Sequence, residues 1–163
     1  MDAQAIGWNM KLSRHKKPKL CNPLLGFQDK QTVKIDCDGW PFKKVKYWAG
    51  RTMEWFKLGG YLIAKSSEKH YHIVFNRFVT WSKNLSIINW VAQQSKSRKL
   101  DGYCIMQAIK ENSTLRISKK QGKPTPIIVF RYGKQDKGIK KYLQCREELK
   151  PTLEMIDNYA PLP

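Results

Sequence analysis

The segment 32–39, with the sequence TVKIDCDG, alternates apolar and charged residues and constrains the fold more than any other part of the chain. Successive side chains of a β-strand point to opposite faces, so Val33, Ile35 and Cys37 share one face. Gly39 follows and ends the alternation. The pattern predicts a half-buried strand with two carboxylates at its C-terminal end. Its second face carries Lys34, Asp36 and Asp38.

The rest of the chain is predicted to fold into short strands and amphipathic helices. Helical spacing of apolar residues after Trp40-Pro41 predicts a helix over about 41–57, which Gly59-Gly60 ends. Residues 102–110 fit either a strand or a helix. The order β-α-β-β-α-β-β-α predicts an α+β fold, with helices packed on an antiparallel or mixed sheet like that of the RNA-recognition motif. The remaining predicted elements are strands 61–65, 70–76, 113–118 and 126–132, a helix 82–95 capped by Ser82, and a basic helix 136–149.

A chain of 163 residues suits one domain. We assign that domain to 32–150. Residues 1–31 are predicted to be a basic lead-in punctuated by proline, with little periodicity. The segment 151–163 contains three prolines and is predicted to be an extended tail.

The charge of the chain points to anionic partners. It contains 31 lysines and arginines against 13 aspartates and glutamates, which gives a net charge of +18. Such an excess creates a positive field that attracts DNA, RNA and nucleotides. Aromatic residues make up 12% of the sequence and are interleaved with the basic runs, as in surfaces that track phosphates and stack on bases.

Neither membrane insertion nor secretion is expected. The longest apolar runs, 61–64 and 127–130, are far shorter than a transmembrane helix. The first residues lack the charged and apolar regions of a secretory signal. The 4 cysteines form no CxxC pair, so neither a zinc site nor a disulfide framework is indicated. We expect a cytoplasmic, nucleoid-associated protein that binds no membrane.

Asp36 and Asp38 form the first candidate site. Carboxylates at alternate strand positions project together and offer the hard oxygen ligands that Mg²⁺ and Mn²⁺ prefer. Acidic pairs at strand ends are often only solvated or cap the next helix. In this chain the two acids lie amid a large positive excess, and their mutual repulsion favours a bound cation.

A hydroxyl-rich turn and a basic strand are two further candidate sites. Ser66 and Ser67 precede a strand that presents His72, so hydroxyls and backbone amides there can bind a triphosphate while the imidazole contacts a phosphate oxygen. The alternative is a pair of surface histidines on an exposed strand. Arg116 and Lys120 alternate onto one strand face and suit phosphates, although a solvated basic edge strand has the same pattern.

The spacing of these motifs over about 32–132 resembles that of the archaeo-eukaryotic primase superfamily, the catalytic cores of primases and primase-polymerases. That family carries a DxD strand, a helix, an S-x-x-x-G-x-H-like turn and strand, a hydrophobic-Asp pair, and a strand with Arg or Lys. His70 stands where the family's turn has glycine. This chain would be a minimal version of the core. The matching segments, in the family's order, are Asp36-Cys37-Asp38, Ser66 or Ser67 with His72, Leu100-Asp101, and Arg116 with Lys120.

The resemblance implies a metal-dependent nucleotidyltransferase that adds nucleotides to a primer, or de novo, on a single-stranded template during DNA replication. Asp36, Asp38 and Asp101 would hold two Mg²⁺ or Mn²⁺ ions. His72 and the turn at Ser66 would grip a nucleoside triphosphate. The chain would serve as a small subunit of a larger replication machine. The implied contacts with phosphates or template are Ser67, Arg116, Lys119, Lys120, Lys123 and Arg131.

Two other functions fit parts of the sequence. His70-Tyr71-His72 also resembles the His-hydrophobic-His strand of rolling-circle initiators and relaxases, the HUH endonucleases, in which both histidines bind one metal. Tyr142 on the predicted basic helix would then be the nucleophile that attacks DNA. The second alternative is a non-catalytic, basic nucleic-acid-binding module on an RRM-like sheet.

Overall fold

The structure is a computed structural model that describes residues 24–120 and 122–158. Pairs of consecutive strands are separated by one or two helices along this part of the chain, which ends with two consecutive helices. The elements are β1 (Gly26–Asp29), β2 (Thr32–Asp38), α1 (Phe42–Trp55), β3 (Gly60–Ser67), β4 (His70–Phe78), α2 (Trp81–Ser95), α3 (Arg98–Lys110), β5 (Ser113–Arg116), β6 (Ile127–Gly133), α4 (Gly138–Glu148) and α5 (Lys150–Asn158).

A four-stranded antiparallel sheet with the order β2-β4-β3-β6 lies at the centre of the fold, and β1 pairs with β5 in a separate two-stranded sheet. The predicted α+β class with an RRM-like sheet is confirmed. In the pairing of β2 with β4, Asp36 lies opposite His72 and Asp38 lies opposite His70. This register places the acids of one predicted motif beside the histidines of another.

Helices cover one face of the four-stranded sheet. Val33, Ile35 and Cys37 lie on this face, as the alternation predicts, and each is at most 1% exposed. They share a core cluster with Ile73 and Phe75 of β4 and with apolar residues of α1 and α2. Full burial of such side chains contributes about 1.5–3 kcal/mol each to stability. Their packing against α1 and α2 therefore determines which face of β2 turns toward the helices and which face carries Asp36 and Asp38.

The opposite face of the sheet packs against β1, β5 and α4. Leu62, Ala64 and Val74 meet Leu115 and Tyr142 in a second core cluster. The covering elements stop short of the C-terminal end of β2, where the two acidic side chains are 35% and 38% exposed. A partly open site therefore lies on the face opposite the helices α1 and α2.

The boundaries of α2 and α3 follow from caps that were not predicted from the sequence. Thr80, rather than Ser82, caps α2 by accepting a hydrogen bond from the Lys83 N–H. Ser97 caps α3 in the same way. The sequence of 96–101 predicts a basic connection between elements, but most of this segment is the first turn of α3, and the ambiguous segment 102–110 is helical.

Among the described residues, each helix is too short or too polar to span a lipid bilayer.

Two predictions for the ends of the chain need correction. The extended tail is wrong for 151–158, which belongs to α5. Pro151 lies in the first turn of that helix, where its missing N–H costs no hydrogen bond. The predicted lead-in contains β1, which pairs with β5. Residues 1–23 of the predicted lead-in and 159–163 of the predicted tail lie outside the described residues.

Candidate functional site

The acids at the end of β2 point toward the histidines of β4. Oδ1 of Asp36 lies 3.8 Å from Nε2 of His72. The carboxylate of Asp38 is hydrogen-bonded to Nδ1 of His70. We call these residues the open cluster: Asp36, Asp38, His70 and His72.

Asp38 already has a partner within the open cluster. Burial works to raise the pKa of its carboxyl, but the hydrogen bond with His70 and nearby positive charges outweigh burial and leave that pKa lowered. Asp38 is therefore ionised at neutral pH. Its second oxygen has no hydrogen bond within the described residues.

Asp36 is less well compensated than Asp38. Burial and the neighbouring charge of Asp38 raise the pKa of its carboxyl from 3.8 to about 6, against the opposing effects of Lys123, His70 and Arg116. No hydrogen bond to its carboxylate is present in the described part of the chain. At neutral pH the ionised form is thus held in place at a free-energy cost, which a bound cation would remove.

His72 is a buried, neutral imidazole. Its side chain is 4% exposed. Burial, followed by the charge of Arg116, lowers its pKa from 6.5 to about 3. At neutral pH the contact with Asp36 is therefore not an ion pair. Nδ1 of His72 is buried and has no hydrogen-bond partner within the described residues, so the ring retains unused hydrogen-bonding capacity.

The two serines of the β3–β4 hairpin have different roles. The Ser66 hydroxyl donates a 3.3 Å hydrogen bond to the carbonyl of His70, so it stabilises the hairpin. Oγ of Ser67 is buried and has no partner in the described structure. A β-bulge between Lys65 and Ser67 gives the two serines their different surroundings. The sequence carries no signal for this bulge, so it does not distinguish Ser66 from Ser67. Ser67 is the stronger candidate for a ligand contact.

Arg116 lies beside the open cluster but is already held by the backbone. Its guanidinium donates to the carbonyls of Ser118, Pro124 and Ser66, the last two at 2.9 and 3.3 Å. Its charge acts on the pKa of both Asp36 and His72. Arg116 thus fixes the end of β5 and the following loop against β3 and supplies positive charge to the site.

Further cations surround the open cluster. Lys123 acts on the pKa values of Asp36, Asp38 and His72. It stands in a turn closed by backbone hydrogen bonds of 2.9 and 2.7 Å with Lys120. Lys99 of α3 and Arg146 of α4 also reach the site electrostatically. Neither was predicted from the sequence. Lys99 lies in a basic stretch of the sequence and Arg146 in the predicted basic helix 136–149, but only the packing of α3 and α4 brings them to the site.

The predicted nucleic-acid contacts do not all reach the open cluster. The backbone of Lys120 pairs with that of Lys123, and Lys119 directly precedes this turn. Arg131 is exposed on β6, the edge strand farthest from β2 in the sheet, where it borders a groove. This groove of about 450 Å³ is lined by Ile128, Arg131, Leu143, Gln144, Arg146 and Glu147.

The third predicted metal ligand is not part of the site. Asp101 lies in the first turn of α3, and its carboxylate accepts a 3.1 Å hydrogen bond from Gln93 of α2. Among the described residues, no group of three or more His, Cys, Asp and Glu side chains is placed to hold a metal ion. The three carboxylates of the predicted metal site are therefore not gathered together: Asp36 and Asp38 lie in the open cluster, whereas Asp101 lies on α3 beside Gln93. Leu100-Asp101 matches the hydrophobic-Asp pair of the family in sequence, but Leu100 is apolar because it is a core residue of the helix α3.

Tyr142, the nucleophile of the nuclease alternative, is a core residue. Its ring is 0% exposed and packs edge-on against Phe27 at 5.4 Å. Its hydroxyl accepts a 3.1 Å hydrogen bond from Arg146, and burial raises its pKa. A DNA phosphate cannot reach this hydroxyl unless α4 moves.

Comparison of the chain with protein-family models, with curated proteins and with solved structures finds no match.

Proposed function

We propose that this protein is a metal-dependent nucleotidyltransferase that acts on nucleic acid, with a primase-polymerase type of reaction. The observation that carries the proposal is the incompletely compensated carboxylate of Asp36, which lies 3.8 Å from neutral His72, next to ionised Asp38 and among cations. A purely structural acid pair does not require this arrangement. It suits a site that binds a divalent cation and a polyphosphate.

The residues present suit a hard divalent cation such as Mg²⁺ or Mn²⁺. Mg²⁺ in nucleotide sites commonly keeps several waters and takes one or two protein carboxylates together with substrate phosphates. Asp36 and Asp38 would supply those carboxylates. When bound, the metal would neutralise phosphate charge and make a primer hydroxyl more acidic.

The chain's own side chains would orient the triphosphate. The neutral ring of His72 has one N–H, and Ser67 has an unpartnered hydroxyl. Because Nδ1 of His72 and Oγ of Ser67 are buried, these groups would donate to phosphate oxygens only when the end of the β3–β4 hairpin moves. Lys123 and Arg116 would balance the phosphate charge. Because Arg116 is fixed by three carbonyls, it would contribute without reorganising.

The remaining expectations of the primase resemblance belong to the same proposal. They include a single-stranded template or a primer–template, DNA replication as the setting, and a larger replication assembly as partner. A cytoplasmic, nucleoid-associated location would follow from such a role. The net charge of +18 supports the nucleic-acid partner.

A non-catalytic nucleic-acid-binding module is the second candidate. The observation in its favour is that Asp101 lies outside the open cluster, where its carboxylate bonds to Gln93. If the acids serve no metal, their negative charge opposes binding of nucleic acid. Asp36→Asn would then strengthen that binding, and divalent ions would have no effect.

Incorporation of labelled nucleotide tests the proposal. The full chain is incubated with Mg²⁺ or Mn²⁺, nucleoside triphosphates and single-stranded or primed templates. Asp36→Asn is expected to lower incorporation at least about a hundredfold, since it removes a direct metal ligand. Asp101→Asn is the matched control and should retain activity within about twofold. The proposal fails if the wild-type protein incorporates nothing with either metal, or if Asp101→Asn lowers incorporation as much as Asp36→Asn.

A further inference from the structure

Helix α1 carries an exposed ridge in which cations and aromatic rings alternate. Four residues at intervals of four make up this α1 ridge, and each of them is exposed. Positions i and i+4 lie on one side of a helix, about 6 Å apart along its axis. The members of the α1 ridge are Lys43, Tyr47, Arg51 and Trp55.

The rings of the α1 ridge have large free surfaces. Tyr47 is 57% exposed and Trp55 is 65% exposed. A helix face that only contacts water is usually polar, so two large rings exposed on one face indicate a surface that binds a partner. Both rings are also held in place by neighbouring rings, so each presents a fixed π-surface to solvent.

Trp90 of α2 is the support for this aromatic surface. It stacks on Trp55 with ring centroids 5.9 Å apart and an interplanar angle of 12°. It meets Trp48 edge-on at 6.1 Å, and Trp48 in turn meets Tyr47 edge-on at 5.4 Å. The rings thus form one connected group across two helices, which lowers the entropy cost of stacking a ligand on them.

The cations of the α1 ridge have no acidic partner within the described residues. Other lysines nearby are engaged, since Lys44 lies over Trp40 and Lys46 lies over Phe130. Glu54 is the single acid of α1, and α2 has none. The surface is therefore positive as well as aromatic. An apolar protein partner would need the rings but not the positive charge.

We propose that the α1 ridge binds single-stranded nucleic acid, with bases stacked on Tyr47 and Trp55 and phosphates paired with Lys43 and Arg51. Exposed rings favour single strands, because the bases of a duplex are already stacked on one another. The ridge lies on the helical side of the sheet, opposite the open cluster. It is a second binding surface, and the inference does not depend on the proposed function.

Fluorescence anisotropy with a labelled thymidine 20-mer, in EDTA and without nucleotide, tests the stacking on the rings. Tyr47→Leu/Trp55→Leu keeps apolar surface but removes the rings. Tyr47→Phe/Trp55→Phe is the matched control that keeps them. We expect the leucine pair to weaken binding about fivefold to a hundredfold, as the removal of one or two base stacks would, and the phenylalanine pair to stay within about threefold of wild type. An abasic oligonucleotide should bind wild type and the leucine pair equally.

The salt dependence of the same binding tests the cations. Lys43→Gln/Arg51→Gln should flatten the slope of log K against log salt by about 1.4, at about 0.7 for each single-strand phosphate that the variant no longer neutralises. Lys110→Gln on α3, away from the ridge, is the control for a general loss of charge.

Two outcomes would overturn the inference. In one, the leucine and phenylalanine pairs both bind the 20-mer like wild type while their melting temperatures show folded protein. In the other, the leucine pair leaves binding unchanged but abolishes self-association in sedimentation, which would make the ridge an interface between copies of this chain.

Discussion

Two charged clusters lie along the same face of β2, and they are completed to different degrees. Toward the start of the strand, Lys34 pairs with Asp29 at 2.6 Å and both side chains are buried. Asp29 also accepts from the Thr32 hydroxyl at 2.7 Å and from Lys141 at 3.0 Å. We call Asp29, Thr32, Lys34 and Lys141 the closed cluster. In the open cluster, two residues further along the strand, Asp38 is hydrogen-bonded to His70, but Asp36 has no hydrogen bond to its carboxylate within the described residues.

The pKa values of the two clusters record this difference. Burial alone would raise the pKa of Asp29, but Lys34 and the Thr32 hydrogen bonds more than compensate, and the pKa is lowered. At Asp36, burial and the charge of Asp38 prevail, and the pKa rises to about 6. Both carboxylates are partly removed from water, but only that of Asp29 accepts hydrogen bonds that offset this burial. The closed cluster therefore satisfies its charges internally, whereas Asp36 does not. This difference supports the proposal that the open cluster binds a ligand.

The largest expected effect comes from opening the closed cluster. Asp29→Ala leaves the fully buried ammonium of Lys34 without its partner, which should cost about 3–5 kcal/mol of unfolding free energy. Urea denaturation at pH 7 measures it, with Asp101→Asn as the control that should change stability by less than about 0.5 kcal/mol. A loss below about 1 kcal/mol for Asp29→Ala would remove the distinction between the clusters.

The next effect, of opposite sign, is expected at the open cluster. Asp36→Asn mimics the protonated acid and should stabilise the protein by about 1 kcal/mol at pH 8, after allowance for solvent screening of a carboxylate that is 35% exposed. The pKa of Asp36 is about 6 in the folded chain and near 3.8 when unfolded. The folded state therefore retains a proton that the unfolded state loses between these values, and wild-type stability falls as pH rises through this window.

Urea denaturation of the Asp36→Asn variant and wild type at pH 3.5, 5 and 8 checks this sign. The two proteins should agree in stability at the lowest pH and diverge up to about pH 6. Asp29 should show the reverse trend, because its lowered pKa gives stability above about pH 4 that is lost on further acidification. Equal stability of the variant and wild type at pH 8 would show that Asp36 is adequately compensated.

The smallest expected effect concerns His72. His72→Leu replaces a buried ring that has an unpartnered nitrogen, so stability should stay the same or rise by up to about 1 kcal/mol. Nucleotide incorporation should nevertheless fall. Thermal melting and the incorporation assay, run on the same preparation, distinguish this result from a structural role, in which the variant would melt well below wild type.

Much of the open cluster could be predicted because its signals are local. The alternation of apolar and charged residues along β2 places Asp36 and Asp38 on one face of the strand. The same rule places His70 and His72 on one face of β4, and the short β3–β4 turn sets the pairing of these strands. The contributions of Lys99 and Arg146 could not be predicted, since each depends on the docking of a helix distant in sequence.

The errors in the prediction also have physical causes. Leu100-Asp101 matches a two-residue pattern, but a pattern so short does not distinguish a strand end from the capped first turn of a helix. Ser97 supplies that cap here. Prolines after residue 150 favour an extended chain in the sequence, although Pro151 is equally suited to the first turn of α5.

Binding of Mn²⁺ to the purified chain, followed by the electron paramagnetic resonance of the free ion, tests the central claim most directly. We predict that wild type binds Mn²⁺ at pH 7.5, that a nucleoside triphosphate strengthens this binding, and that binding weakens below about pH 6 as Asp36 takes up its proton. Asp36→Asn should lose the binding and Asp101→Asn should keep it. Mn²⁺ binding that is absent from wild type, or that Asp36→Asn leaves unchanged, would contradict the claim that the open cluster is a metal site.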